Sequence, residues 1–441
     1  PRCARAHGCR GDARRALGAL REALDDYAAA IAADPDFLPA YTCQALTLLL
    51  LGEPGAAADV CRRALARDPG CVPARYHLGR ALEAMGDLAG AAQAFGLVVE
   101  ADAPRVTAAP AGAAPIVSLG LAALVERAAA RVTLGDLAGA ADDADRALAV
   151  LPRQHRALLI RAKARADAGD LARARADLEA ALALDPSSVE AHLNLGVVLH
   201  LGGQLDAAIA SYTRVLDLQP GRPQAHTFRA RARQAQGDVR HALEDYDAAL
   251  RAGPDADVLS DRGGAYRLLG DHRAALADCT RALSLRPGHA LALANRAESL
   301  AALGRHAEAV DDCTRSLEAD ASRADPWIAR AFSRVFLGQH EAAIEDCDRA
   351  LAIDPRNGRA LFNRGRARAG LGDHRRAVED YGQALAVERT SQALLLRGVS
   401  REALGDLPGA IDDFEQAVAL MAPEDGNREP ARQHLDQLRR R

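Results

Sequence analysis

Residues 324–355 read ADPWIARAFSRVFLGQHEAAIEDCDRALAIDP, and this stretch decides the fold. Trp327, Ile328, Ala331, Phe332, Val335 and Phe336 recur at spacings of three and four, the period of an α-helix with an apolar face. Gly338 follows, and glycine closes a helix in the left-handed conformation at the least steric cost. A second periodic run, Ala343, Ile344, Cys347, Ala350 and Leu351, lasts until Asp354-Pro355, where proline cannot continue a helix. The stretch predicts two antiparallel helices joined by a tight turn.

The rest of the chain repeats this pattern. A turn glycine stands at 18, 52, 86, 135, 169, 203, 237, 270, 304, 338, 372 and 405, and an alanine lies five residues after each, from Ala23 to Ala410. Eight of the eleven intervals are 34 residues, two are 33 and one is 49. A fixed period of this length means stacked supersecondary units, none able to bury its apolar face alone. Asp87, Asp136, Asp170, Asp238, Asp271, Asp373 and Asp406 each follow a turn glycine, where a carboxylate caps the next helix and opposes its dipole.

The unit resembles the tetratricopeptide repeat, which carries an aromatic, Leu-Gly, Tyr, Ala, an aromatic, Ala and Pro at fixed offsets over about 34 residues. Gly263, Tyr266, Ala275, Ala282 and Pro287 fit that pattern in one unit, Trp327 fits the opening aromatic, and Leu78-Gly79 and Leu195-Gly196 fit the Leu-Gly pair. The second Ala recurs in nine units and is replaced by Val98, Val215 and Ser316 in the others. The resemblance covers residues 1 to about 422 and implies an all-α, right-handed superhelical solenoid of tandem antiparallel helix pairs. First helices would line a concave groove and second helices the convex face. The expected organisation is units 1–3 over 1–105, an uncharged Ala/Pro-rich insertion loop over 106–120, units 4–12 over 121–422, and a polar capping helix over 423–441. The insertion reads more readily as a tolerated surface loop than as a hinge or docking segment. Gly8 and Gly11 are expected to interrupt the first helix.

Composition narrows the function classes. A net charge of −4 argues against a general nucleic-acid or anionic-membrane binder. The apolar run at 46–51 is far too short to span a bilayer. Cys279, Cys313 and Cys347 share a position with Cys61 and with Tyr27, Phe95, Tyr212, Tyr246, Tyr381 and Phe414, so these thiols are expected to pack as small hydrophobes. Reduced thiols, no metal, no cofactor and an intracellular, cytoplasmic setting are the corresponding expectations. The chain opens at Pro1 without Met, as an excerpt of a longer protein would.

No catalytic constellation emerges. Carboxylate pairs such as Asp311-Asp312 and Glu345-Asp346 are adjacent on a helix, point about 100° apart, and read as a solvated face with Asp–Arg pairs at i, i+3. Binding positions are expected on the first helices. Nine residues before the turn glycine stand Asn194, Asn295 and Asn363, whose amides can pair with an extended backbone. Six residues before it stand Arg80, Lys163, Arg231 and Arg366, a sparse basic track. Ile328, Phe332, Val335 and Phe336 form an apolar set between Asn295 and Asn363, with Arg359 and Arg366 beside it. The family's chaperone adaptors require a five-residue carboxylate clamp, and its glycosyltransferases carry a long asparagine ladder. Neither is present: the third helix of the clamp offers Asp325 and Ala329 in one register, Gln392 and Leu396 in the other. The sequence thus points to a non-catalytic scaffold binding a peptide or helix of a protein partner in its groove. The alternatives are the regulatory arm of a larger enzyme or signalling protein and, less favoured, a chaperone adaptor.

Overall fold

A computed structural model describes residues 3–102 and 118–440. Among them are twenty-five helices and no strand. They divide into two compact parts, Pro1–Pro220 and Gly221–Arg441. The first holds α1 Ala4–Ala16, α2 Leu20–Ala33, α3 Leu38–Leu50, α4 Pro54–Arg67, α5 Val72–Ala84, α6 Leu88–Ala101, α7 Leu119–Leu134, α8 Leu137–Val150, α9 His155–Asp167, α10 Leu171–Leu184, α11 Val189–Leu201 and α12 Leu205–Leu218. The second holds α13 Pro223–Gln236, α14 Val239–Leu250, α15 Ala256–Leu268, α16 His272–Leu285, α17 Ala290–Ala302, α18 His306–Ala319, α19 Ala324–Phe336, α20 His340–Ile353, α21 Gly358–Gly370, α22 His374–Val387, α23 Ser391–Ala403, α24 Leu407–Leu420 and α25 Arg428–Leu438.

Each helix pair is closed by local chemistry. All twelve turn glycines have positive φ, between 73° and 91°. All seven aspartates that follow them accept a hydrogen bond from a backbone N–H three residues on, as Asp373 does from Arg376 at 3.1 Å. Within a pair, a ring or thiol of the second helix lies in a gap on the first. A Cβ at Gly365 would sit 2.8 Å from Tyr381, so only glycine lets the two helices approach there. Gly8 and Gly11 serve the same purpose. They do not interrupt the first helix as expected: α1 runs through both, and the Phe37 and Tyr27 rings pack against their bare backbone.

Within each part, first helices of successive repeats also touch one another directly, α17 with α19 and α19 with α21 among them. First helices therefore line the tighter, inner side of each part. Residues 106–117 of the expected insertion lie outside the described residues. Its last three belong to the next repeat, where Ser118 caps α7 by accepting from the Leu121 N–H at 3.2 Å. At the C-terminal end α25 lays Ala431, Leu435 and Leu438 over Ala410 and Phe414.

The carboxylate pairs depart from the solvated face read in the sequence. The second acid of each pair is buried, and an arginine on the first helix 16 residues earlier grips it with two nitrogens. Arg330 holds Asp346 at 2.7 and 3.0 Å, and Arg334, one turn on, adds a third bond at 2.8 Å. The same bond to the acid 16 residues on recurs from Arg10, Arg127, Arg161, Arg229, Arg262, Arg296, Arg364 and Arg397. The i, i+3 pairs are minor by comparison, with Asp312–Arg315 at 3.8 Å.

Candidate functional site

The basic track is largely neutralised. Arg80 lies 3.7 Å from Glu83, Lys163 3.0 Å from Asp167, and Arg231 2.6 Å from Asp261. Asn194 is half-buried on α11. Beside Arg231 the chain departs from its period. In this 33-residue interval α14 is twelve residues long, and a cavity of about 380 Å³ lies among Phe228, Arg231, Pro254 and Asp257. The charges there are matched, since Asp257 already holds Arg286 and His289, each at 2.9 Å.

The expected set on α17, α19 and α21 separates into two groups. Ile328 is fully buried between Ala350 and Ala360, so it belongs to the packing between repeats and not to the inner face. Val335 packs largely inward, against the Ala331, Ala343, Cys347 and Ala367 cluster. Asn295 is largely buried and donates one amide N–H to the Ser260 carbonyl at 3.1 Å, which ties its carboxamide to the neighbouring repeat. Arg359 is exposed. Helical periodicity alone had placed Ile328 and Val335 with the phenylalanines; α19 presents one apolar stripe to its neighbours and a second to the inner face, and the two overlap in the sequence.

The remaining residues converge. Phe332 is half-buried and Phe336 is 54% exposed. Their ring centroids are 4.9 Å apart. His306, the first residue of α18, stacks on Phe336 at 4.5 Å with planes 6° apart. Arg366 reaches across from α21 and lays its guanidinium 4.7 Å from the Phe336 centroid, 5.7 Å from Phe332 and 5.9 Å from Phe362. Such stacking favours the broad, weakly hydrated guanidinium over a lysine ammonium.

Among the described residues, no carboxylate pairs with Arg366. Burial depresses its pKa from the usual arginine value. Burial, then the nearby Arg366 charge, lowers the pKa of His306. One turn before Arg366, Asn363 is 5% exposed and its carboxamide makes no hydrogen bond to the described protein. The site is thus an aromatic floor with a half-buried cation and an open amide, a surface for an apolar side chain bordered by hydrogen-bond donors. His306 and Phe362 were not picked out from the sequence. Phe362 carried a signal, as one of seven phenylalanines in a chain with 3% aromatics, but His306 stands in a turn position shared by His272, His340 and His374.

No cluster of three or more His, Cys, Asp or Glu residues positioned to hold a metal occurs among the described residues. No helix described is long and apolar enough to cross a membrane.

Sequence profiles of the tetratricopeptide repeat match residues 161–223, 229–290, 269–324, 328–374 and 362–427, and a second profile of that repeat matches 48–112. No curated protein sequence matches the chain. Among solved structures, the APC/C hetero-tetramer Cut9–Hcn1 aligns over 97% of this chain and 88% of its own, with a TM-score of 0.54 and 15% identity. YrrB, a TPR protein with an unusual peptide-binding site, aligns over 42% of this chain and 95% of its own, at 0.34 and 23%. A thermophilic TPR protein of Thermus thermophilus aligns over 42% and 100%, at 0.36 and 22%. At these identities the likeness to Cut9–Hcn1 concerns the fold alone, and the lower scores carry no further argument.

Proposed function

The chain belongs to the tetratricopeptide repeat family, and from that premise we propose that it is a protein-interaction scaffold whose inner face, on α19 and α21, seats a segment of a partner protein. Family membership supports the general role. The observation that carries the location is the ring cluster of Phe332, Phe336 and His306, joined to Phe362 through Arg366 and left open to solvent at Phe336 in a chain with few aromatics. Apolar anchors set in a local pocket dominate interfaces of this kind, so one large partner side chain on this floor supplies most of the affinity. The open Asn363 amide orients the segment. No step of this reading requires catalysis.

The test is affinity capture of partners by the parent chain and by Phe332→Ala and Phe336→Ala variants of unchanged helical content. A partner that binds the parent should lose about 2 kcal/mol with either variant. Equal retention by all three proteins would move the site elsewhere.

A further inference from the structure

We propose that Arg366 and Asn363 recognise a side-chain carboxylate, so that the partner segment presents an aspartate or glutamate within a few residues of a large apolar side chain. The inference rests on the seat proposed above and specifies what occupies it. Its basis is an unmatched charge. Elsewhere on the inner faces cations stand against acids: Arg80 with Glu83, Arg156 with Glu126, Lys163 with Asp167, Arg231 with Asp261 and Arg267 with Glu298. Arg366 is half-buried among three phenylalanines and pairs with no acid among the described residues. A cation partly removed from water and left unpaired is costly, and a ligand carboxylate that pairs with it recovers that cost.

The geometry favours a carboxylate in particular. The guanidinium carbon of Arg366 lies over the Phe336 ring at 4.7 Å, and the planar fork of an arginine matches two carboxylate oxygens. Asn363, three residues earlier on the same helix, adds a donor without adding charge. One cation beside one amide suits a monoanion better than a phosphate dianion. First-helix contacts continue from α21 to α19 on one side and to α23 on the other, so the inner face runs on past the site in both directions. A side chain in the middle of a passing segment fits this better than a chain terminus.

Random peptides displayed on phage and selected on the full chain provide the test. Selected sequences should be enriched in Asp or Glu near Phe, Trp, Tyr or Leu. For the best peptide, resynthesised with blocked ends, replacing the acid by its amide should weaken binding about tenfold at low salt, with the gap narrowing as salt rises. Arg366→Leu should abolish the difference between acid and amide peptides. Arg366→Glu should reverse it in favour of a lysine peptide, and Arg366→Lys should keep part of it. Circular dichroism checks that each variant is folded. Selected peptides without acidic enrichment, equal binding of the acid and amide forms by the parent, or full discrimination by Arg366→Leu would each overturn the carboxylate assignment while leaving the seat intact. Acidic peptides that bind Phe332→Ala and Phe336→Ala as well as the parent would overturn the seat itself. Failure to enrich any peptide would overturn both.

Discussion

Replacing Asp346 by alanine tests the most regular feature of the molecule. The carboxylate is 1% exposed and accepts three hydrogen bonds from Arg330 and Arg334. Without it, two guanidiniums whose side chains are 11% and 20% exposed face a void. Arg330 keeps its 3.0 Å bond to Thr314 and its stacking on Trp327, but neither neutralises a charge. Breaking one side of a buried ion pair costs about 3–5 kcal/mol, mostly from the charge left behind. The chain itself contains the compensated alternative. Where the aspartate position holds Val60, Ala94 or Ser211, the two arginine positions hold Gln44 and Leu48, Leu78 and Leu82, or Leu195 and Leu199. The triple variant Arg330→Leu, Arg334→Leu, Asp346→Ala copies the third repeat and should return to within about 1.5 kcal/mol of the parent, since apolar replacement of a whole buried ionic group is close to neutral. The assay is urea unfolding followed by circular dichroism and by the fluorescence of Trp327, the chain's one tryptophan, which lies in the altered repeat. A loss below about 1 kcal/mol for Asp346→Ala, or a triple variant as unstable as the single one, would refute the reasoning.

Three further outcomes follow from the same structure. A thiol reagent should modify the exposed Cys3 and Cys9 in the native chain but reach Cys279 and Cys313 only on unfolding, because burial pushes both of the latter up to about 12; rapid native labelling of all eight cysteines would contradict this. Asp373→Ala should lower stability by about 1 kcal/mol through loss of the α22 cap, measured by urea midpoint, while Asp373→Asn should lose less. Burial, with help from Arg80 and Arg15, holds His77 down at about 4 against an ordinary value near 6.5. Between those pH values the unfolded chain binds a proton that the folded chain does not. The His77 contribution is therefore complete above pH 6.5 and is lost as pH falls toward 4; His77→Gln should flatten that part of the stability profile, and an unchanged slope would count against the burial of His77.

The helix pairs, turns and caps were legible because each is written within a few residues. Gly338 after an apolar run and Asp373 after Gly372 state their roles locally, and the structure realises both. The arginine–aspartate ladder was also written, but at a separation of 16 residues across a turn, and a reading confined to neighbours assigned Asp312 and Asp346 to solvent. The signal lay in covariation within the chain: arginine and aspartate appear together or are replaced together, because neither can be buried alone. The candidate site was legible in part. Phe332, Phe336 and Arg366 come together in one cluster with Asn363 one turn away, whereas Ile328 packs between repeats and Asn295 donates to the Ser260 carbonyl. Periodicity gives the direction of a side chain around its helix. It does not give the width of the neighbour that covers it, and that width decides whether an apolar residue is core or surface.

In a chain built by repetition, the repeated positions are committed to packing, and function is to be sought where the repetition leaves a group unmatched. Nine aspartates are buried with their arginines, and those groups are spent on holding helix pairs together. At the Arg366 register the other cations face acids of this chain, which leaves little for a partner to gain there. Arg366 combines three conditions: it is half-buried, it lies over rings, and it has no acid among the described residues, whereas Arg231 shares the first two but faces Asp261. Each condition alone is common on a protein surface. Together they amount to a preorganised donor whose desolvation cost is already partly met in the free chain, so a carboxylate that arrives there meets less of that cost than it would at a fully hydrated arginine.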